Sequence, residues 1–81
     1  RKSNPDDQSY TASLFEKGTK KIAQKVGEEA TEVILEAMDG KKDLLIEESS
    51  DLLYHFLVLL ADQGLKLEDV ESKLMERHLK K

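Results

Sequence analysis

Glu28, Glu29 and Glu32, followed by Glu48 and Asp51, are the residues of this 81-residue chain whose types and spacing can do chemistry. Glu29 and Glu32 stand at i and i+3, and so do Glu48 and Asp51. On a helix each pair projects from one face, its members about 4.5 Å apart along the axis. Four carboxylates gathered together cannot all stay ionised, because mutual repulsion and desolvation drive protons onto some of them. A hard divalent cation removes the conflict. Magnesium, with manganese as the other candidate, takes oxygen ligands, and Mg²⁺ usually keeps several waters and completes its shell from carboxylates and substrate phosphate. Such a site suits phosphate chemistry. For a single ExxE pair the plainer reading is a solvated face or lysine partners at i, i+4; two pairs on two helices, each bordering an apolar stripe, weigh against it.

The elements that carry these acids are punctuated by Gly18, Gly40 and Gly64, each following a run of good helix formers as a C-terminal cap would. Four helices are expected: Tyr10 to Lys17 with Ser9 as N-cap and the only proline, Pro5, in a loop before it; Thr19 to Asp39; Asp43 to Gln63; and Leu67 to Leu79. No two-residue period appears, so the expected class is all-α, a small bundle of about four helices. Residues 1–81 read as one domain, without linker or repeat. Gly27 conflicts locally with its helix at roughly 1 kcal/mol against alanine, and such a glycine often permits close approach of another backbone.

At about 100° per residue, Ile22, Val26, Ala30, Val33 and Ala37 form the core arc of the second helix. Glu29 lies on its edge, with Glu36, Lys25, Glu32 and Lys21 continuing along the border and Glu28 further toward solvent. In the third helix the arc holds Leu45, Leu52, Leu53, Phe56 and Leu60, and Glu48, His55 and Asp51 follow around its border. Packed antiparallel, the two acid pairs can face one another. From Leu52 to Ala61 the third helix is apolar almost all round, with Tyr54 and Val58 facing away from the intramolecular arc, so a second subunit is expected as their cover. The fourth helix, through Leu67, Val70, Leu74 and Met75, is expected to complete each subunit's packing.

Composition narrows the partners. A chain this short buries only about 60% of its unfolded surface, which favours self-association. There is no cysteine, which excludes disulfides and thiolate metal sites and fits a reducing cytoplasm. Residues 26–51 hold nine acids against Lys41 and Lys42, a local net charge of −7 within a chain of −4. Duplex nucleic acid is therefore not an expected partner; a cation with a phosphorylated small molecule is. The longest apolar stretch falls well short of the roughly 20 residues that a membrane-spanning helix needs, and no signal-peptide pattern is seen. The first residue is Arg1 rather than Met, so terminal residues are expected to be missing.

The string Gly27-Glu28-Glu29-Ala30-Thr31-Glu32, followed by Glu48-Ser49-Ser50-Asp51, resembles the EExxE…ExxD signature of the all-α nucleotide pyrophosphatases, which include the MazG-like proteins and dimeric dUTPases. The flanking residues, Ser9-Tyr10-Thr11-Ala12, Gly18, Lys21-Ile22, Lys25-Val26 and Asp51-Leu52-Leu53-Tyr54-His55, resemble the phosphoribosyl-ATP pyrophosphohydrolase family across nearly the whole chain. Ser50 departs from the alanine common in that family before the aspartate. The resemblance implies cleavage of phosphoribosyl-ATP to phosphoribosyl-AMP and pyrophosphate, the second step of histidine biosynthesis, with a Mg²⁺ requirement and a helical homodimer. Unless the chain is a fragment, it also implies that the next pathway step belongs to another polypeptide.

Carried over residue by residue, the resemblance makes Glu29, Glu32, Glu48 and Asp51 the metal ligands and gives Glu28 a catalytic part, as a second-metal ligand, general base or outer partner; an ordinary exposed acid is the alternative. Lys21 and Lys25 share an edge with the first acid pair and are the phosphate-binding candidates, against an i, i+4 ion pair for Lys25. Lys17, Lys20 and Arg77 fit a solubilising surface equally well. Ser9 to Thr11 either cap the first helix or close over the substrate. His55 either orients a ligand carboxylate or sits hydrogen-bonded at a subunit interface. Two rival functions remain: a pyrophosphohydrolase of another nucleoside triphosphate, and a non-catalytic helical dimerisation module.

Overall fold

A computed structural model describes residues 5–79, with side chains for residues 8–78. It contains α1 (Pro5–Lys17), α2 (Thr19–Asp39), α3 (Lys42–Asp62) and α4 (Leu67–Leu79), and no strand among the described residues. The chain is all-α, as expected, and α2, α3 and α4 keep their expected bounds to within one residue. The exception is α1, which starts at Pro5, so Ser9 lies inside the helix and is not its N-cap. Proline suits the first helical position, where its fixed φ is already helical and its missing N–H costs no bond.

α2 and α3 form an antiparallel hairpin closed by Gly40 and Lys41. Gly40 takes the left-handed conformation at φ 73°, its N–H donates to the Ala37 carbonyl at 3.2 Å, and the Lys41 N–H donates to the Glu36 carbonyl at 3.3 Å. This pairing satisfies carbonyls that the helix end would otherwise leave orphaned, at a backbone angle that only glycine adopts without strain. The open end of the hairpin is tied by the Thr19 hydroxyl, which donates to the Asp62 carboxylate. α4 begins with the Lys66 N–H donating to the Asp69 carboxylate at 2.9 Å, a side-chain cap on its first turn.

Between hairpin and α1 lies the core. Ile22 is wholly buried, Leu14 and Val58 cluster with it, and Tyr10, Tyr54 and Leu59 pack around them. Tyr54 and Val58 therefore face into the chain rather than away from it, whereas Leu53, expected in the core arc, is 54% exposed. Because α3 is apolar on nearly every side, its hydrophobic pattern does not say which side turns inward. Ala37 of α2 is exposed as well.

α4 does not complete the packing: Leu67, Leu74 and Met75 are exposed and only Val70 is half-buried among its described apolar side chains. The Cα radius of gyration is 14.5 Å, against about 12 Å for a compact domain of this length. Nothing lies within 4 Å of where a Cβ on Gly27 would sit, so no neighbouring backbone of the described chain approaches it. No described helix is long and apolar enough to cross a membrane.

Candidate metal centre

The register that brings Ile22 and Val58 together decides what happens two helical turns away. Seven residues along α2 from Ile22 is Glu29, and seven residues back along α3 from Val58 is Asp51, each step about 10.5 Å of axis. Carboxylate oxygens of Glu29, Glu48 and Asp51 lie within 4.8 Å of one another, and all three side chains are half-buried. Glu48, Asp51, His55 and Val58 thus run down one α3 face at i, i+3 and i+4 spacing, apolar at one end and acidic at the other. The acids are a continuation of the stripe facing α2, not a rim beside the expected arc of Leu45, Leu52, Leu53, Phe56 and Leu60.

Close packing of like charges shows in their proton affinity. Partial burial pushes the Glu48 carboxyl above its ordinary value, and the charge of Glu29, a hydrogen bond with the Glu29 carboxylate, and the charges of Asp51 and Glu32 push it further the same way. Glu32 itself is exposed and stands outside the group of three, near enough for its charge to act on Glu48. One turn further along α2, Glu36 has a carboxylate oxygen buried without a hydrogen-bond partner among the described residues. Oxygen donors at this spacing, with no nitrogen or sulfur among them, fit a hard divalent cation.

Lys25 lies 3.6 Å from the Glu28 carboxylate and 3.9 Å from that of Glu29, so the ion pair expected as its plainer role is present. Lys21, one turn earlier on the same edge, is half-buried. Glu28 is exposed, and its carboxyl is held below the ordinary value first by the Gln24 amide, which donates to it at 3.0 Å, then by Lys25 and Lys21, against some desolvation. A carboxylate so held is a poorer proton acceptor and a more persistent anion. Lys17, Lys20 and Arg77 are exposed, as is Ser9 on α1.

His55 is only 3% exposed and lies inside the chain, not on a face open to a subunit partner. Its ring meets the Tyr10 hydroxyl of α1 and the backbone carbonyl of Asp51. Position on the α3 border was its only signal in the sequence; nothing there pointed to Tyr10 as its partner.

With this geometry in place, likeness to other proteins decides the family. The pattern defining the phosphoribosyl-ATP pyrophosphohydrolase family matches residues 1–78. The chain belongs to that family. Among similar proteins, the histidine biosynthesis bifunctional protein HisIE of Vibrio parahaemolyticus is 62% identical over 78 residues, covering 96% of this chain and 37% of the relative. Proteins of the same name from Photobacterium profundum and Oceanobacillus iheyensis are 59% and 51% identical, covering 99% and 100% of this chain and 39% and 38% of their own lengths. The chain thus spans under two-fifths of the curated relatives it matches.

Proposed function

We propose that these 81 residues form a single phosphoribosyl-ATP pyrophosphohydrolase domain that hydrolyses phosphoribosyl-ATP to phosphoribosyl-AMP and pyrophosphate, the second step of histidine biosynthesis, with Mg²⁺ at the acid cluster. The observation that carries this reading is the convergence of Glu29, Glu48 and Asp51 from two helices in a chain of this family. Glu29, Glu48 and Asp51 hold the ion, and Glu32, exposed at the mouth of the cluster, supplies a further carboxylate. A bound Mg²⁺ supplies neutralisation of phosphate charge and a more acidic water. Mn²⁺ meets the same donor set.

Lys25 is already poised between two carboxylates, so a polyphosphate entering along the α2 edge finds Lys21 and Lys25 as cations in line with the acids. Glu28 stays ionised through its Gln24 and Lys25 contacts, which suits holding a lysine, a water or a second ion better than accepting a proton. Pyrophosphate release follows from water attack on the phosphate chain while these groups fix its orientation.

A homodimer is part of the reading. Met38, Ile46 and Leu53 are open in the single chain, an apolar area that a second copy would cover and that no described residue of the first copy does. A cytoplasmic location accompanies it, since the chain has no cysteine and its relatives are named for a biosynthetic pathway.

The test is turnover of phosphoribosyl-ATP against a panel of nucleoside triphosphates with Mg²⁺, following pyrophosphate and the nucleoside monophosphate product together. Preference for phosphoribosyl-ATP with one pyrophosphate per turnover is the expected result. Faster turnover of an ordinary triphosphate would move the chain to another nucleotide of the superfamily.

A further inference from the structure

His55 is a buried histidine whose two ring nitrogens both have partners. Nδ1 lies 2.8 Å from the Asp51 carbonyl oxygen, and Nε2 lies 2.8 Å from the Tyr10 hydroxyl. A carbonyl oxygen only accepts, so Nδ1 carries the hydrogen; in the neutral ring Nε2 is then the acceptor and the Tyr10 hydroxyl donates to it. One chain of hydrogen bonds thus runs from α1 through the imidazole to the backbone of Asp51.

The rings around it are packed to hold that chain. Tyr10 and Tyr54 stack with centroids 6.1 Å apart and planes 23° from parallel, and each meets His55 edge-on, at 5.7 and 5.1 Å. The Thr11 and Tyr54 hydroxyls form a second hydrogen bond between α1 and α3. Docking α1 does not require this polarity: burying hydroxyls and an imidazole costs desolvation that a pair of apolar side chains would avoid. What the polar set adds is direction, since hydrogen bonds fix a register that apolar contact leaves loose. The register fixed is that of one turn of α3, the turn whose residues Glu48 and Asp51 project into the carboxylate cluster.

We propose that Tyr10 and His55 are positioning residues for the carboxylate cluster, the link from Tyr10 hydroxyl through the His55 ring to the Asp51 carbonyl bracing the α3 turn that presents Asp51 and Glu48. The proposal rests on the metal-site reading of that cluster. α1 is thereby a structural arm of the site, although none of its described side chains adds a carboxylate to it.

Tyr10→Phe removes one hydroxyl and leaves the ring stack in place. His55→Asn keeps a donor near the position of Nδ1 and has no acceptor at Nε2; His55→Gln offers an acceptor near Nε2. Mg²⁺ titration calorimetry on each variant, with kcat and KM for phosphoribosyl-ATP, is the experiment. Tyr10→Phe and His55→Asn are each expected to weaken Mg²⁺ binding and lower kcat by about 10-fold, within the range for outer partners of metal ligands, with KM little changed. The double variant should lose no more than either single one, and His55→Gln, which leaves the Asp51 carbonyl without its donor, should lose about as much as His55→Asn. Wild-type Mg²⁺ affinity and kcat in Tyr10→Phe, whatever its melting temperature, would overturn the proposal, as would losses that multiply in the double variant. If the wild-type protein binds no Mg²⁺, the metal reading fails instead. The brace is then read in metal-free protein by amide hydrogen exchange, where Tyr10→Phe should speed exchange at the α3 turn from Asp51 to His55; unchanged exchange there would refute it.

Discussion

Glu29 of α2 and Asp51 of α3 meet across the hairpin, carboxylate oxygens within 4.8 Å, in the same register that buries Ile22 beside Val58. Apolar packing at one end of the α2–α3 face thereby brings like charges together at the other. Without a cation the acidic end works against the apolar end, which is a common arrangement where function is bought with stability.

Glu48 turns this opposition into a pH dependence. Its carboxyl lies above its ordinary value in the folded chain, so its contribution to metal-free stability is full below the unfolded value and is lost as pH rises through the folded one. Metal binding has the opposite sign, because a ligand must give up its proton. Urea unfolding from about pH 4 to about pH 7 should show metal-free stability falling as Glu48 ionises, and Mg²⁺ should stabilise more strongly at the upper end. Glu48→Gln should flatten both trends. Parallel curves with and without Mg²⁺ would contradict the assignment.

Gly27 lies within α2 with open space where its Cβ would be. Gly27→Ala should stabilise the chain by about 0.5–1 kcal/mol, the usual gain from removing a helix-interior glycine, read as a rise in melting temperature. Turnover should be unchanged. A folded Gly27→Ala protein with impaired turnover would mean that substrate or a partner approaches this backbone after all.

How legible this was differs by element. Glycine punctuation was enough to locate α2, α3 and α4, because Gly40 and Gly64 take the left-handed backbone that a helix C-terminus favours. Pro5 was misread because proline both breaks helices and starts them, and local sequence does not distinguish the two. The acid cluster was legible as two spaced pairs on two helices, of which Glu29, Glu48 and Asp51 converge while Glu32 stays at the edge. The inward side of α3 was not legible: an all-round apolar helix has no preferred face, and Tyr54, His55 and Val58 are turned in by contact with α1 and Ile22 rather than by periodicity. A hydrogen bond between residues 45 apart, Tyr10 and His55, leaves no trace in local pattern.

The apolar surface left open supplies a further prediction. Met38 is 81% exposed and Ile46 is 64% exposed, on the two helices joined by Gly40. If the proposed homodimer forms through this surface, Ile46→Glu should shift the protein from dimer to monomer in sedimentation at micromolar concentration, because it would place a charge in the core of that interface. A wild-type protein that sediments as a monomer would remove the homodimer from the account.

The central claim, that the carboxylates meeting between α2 and α3 are a divalent-cation site, is tested most directly by calorimetric titration of Mg²⁺ into the wild-type protein, Glu29→Gln, Asp51→Asn and Glu32→Gln. One saturable binding event is predicted for the wild type, with affinity falling by about 100-fold or more when Glu29 or Asp51 is neutralised, as loss of a ligand should exceed the effect of losing an outer partner, and by less for Glu32→Gln. Wild-type affinity in both Glu29→Gln and Asp51→Asn, or no saturable binding in the wild type, would contradict it.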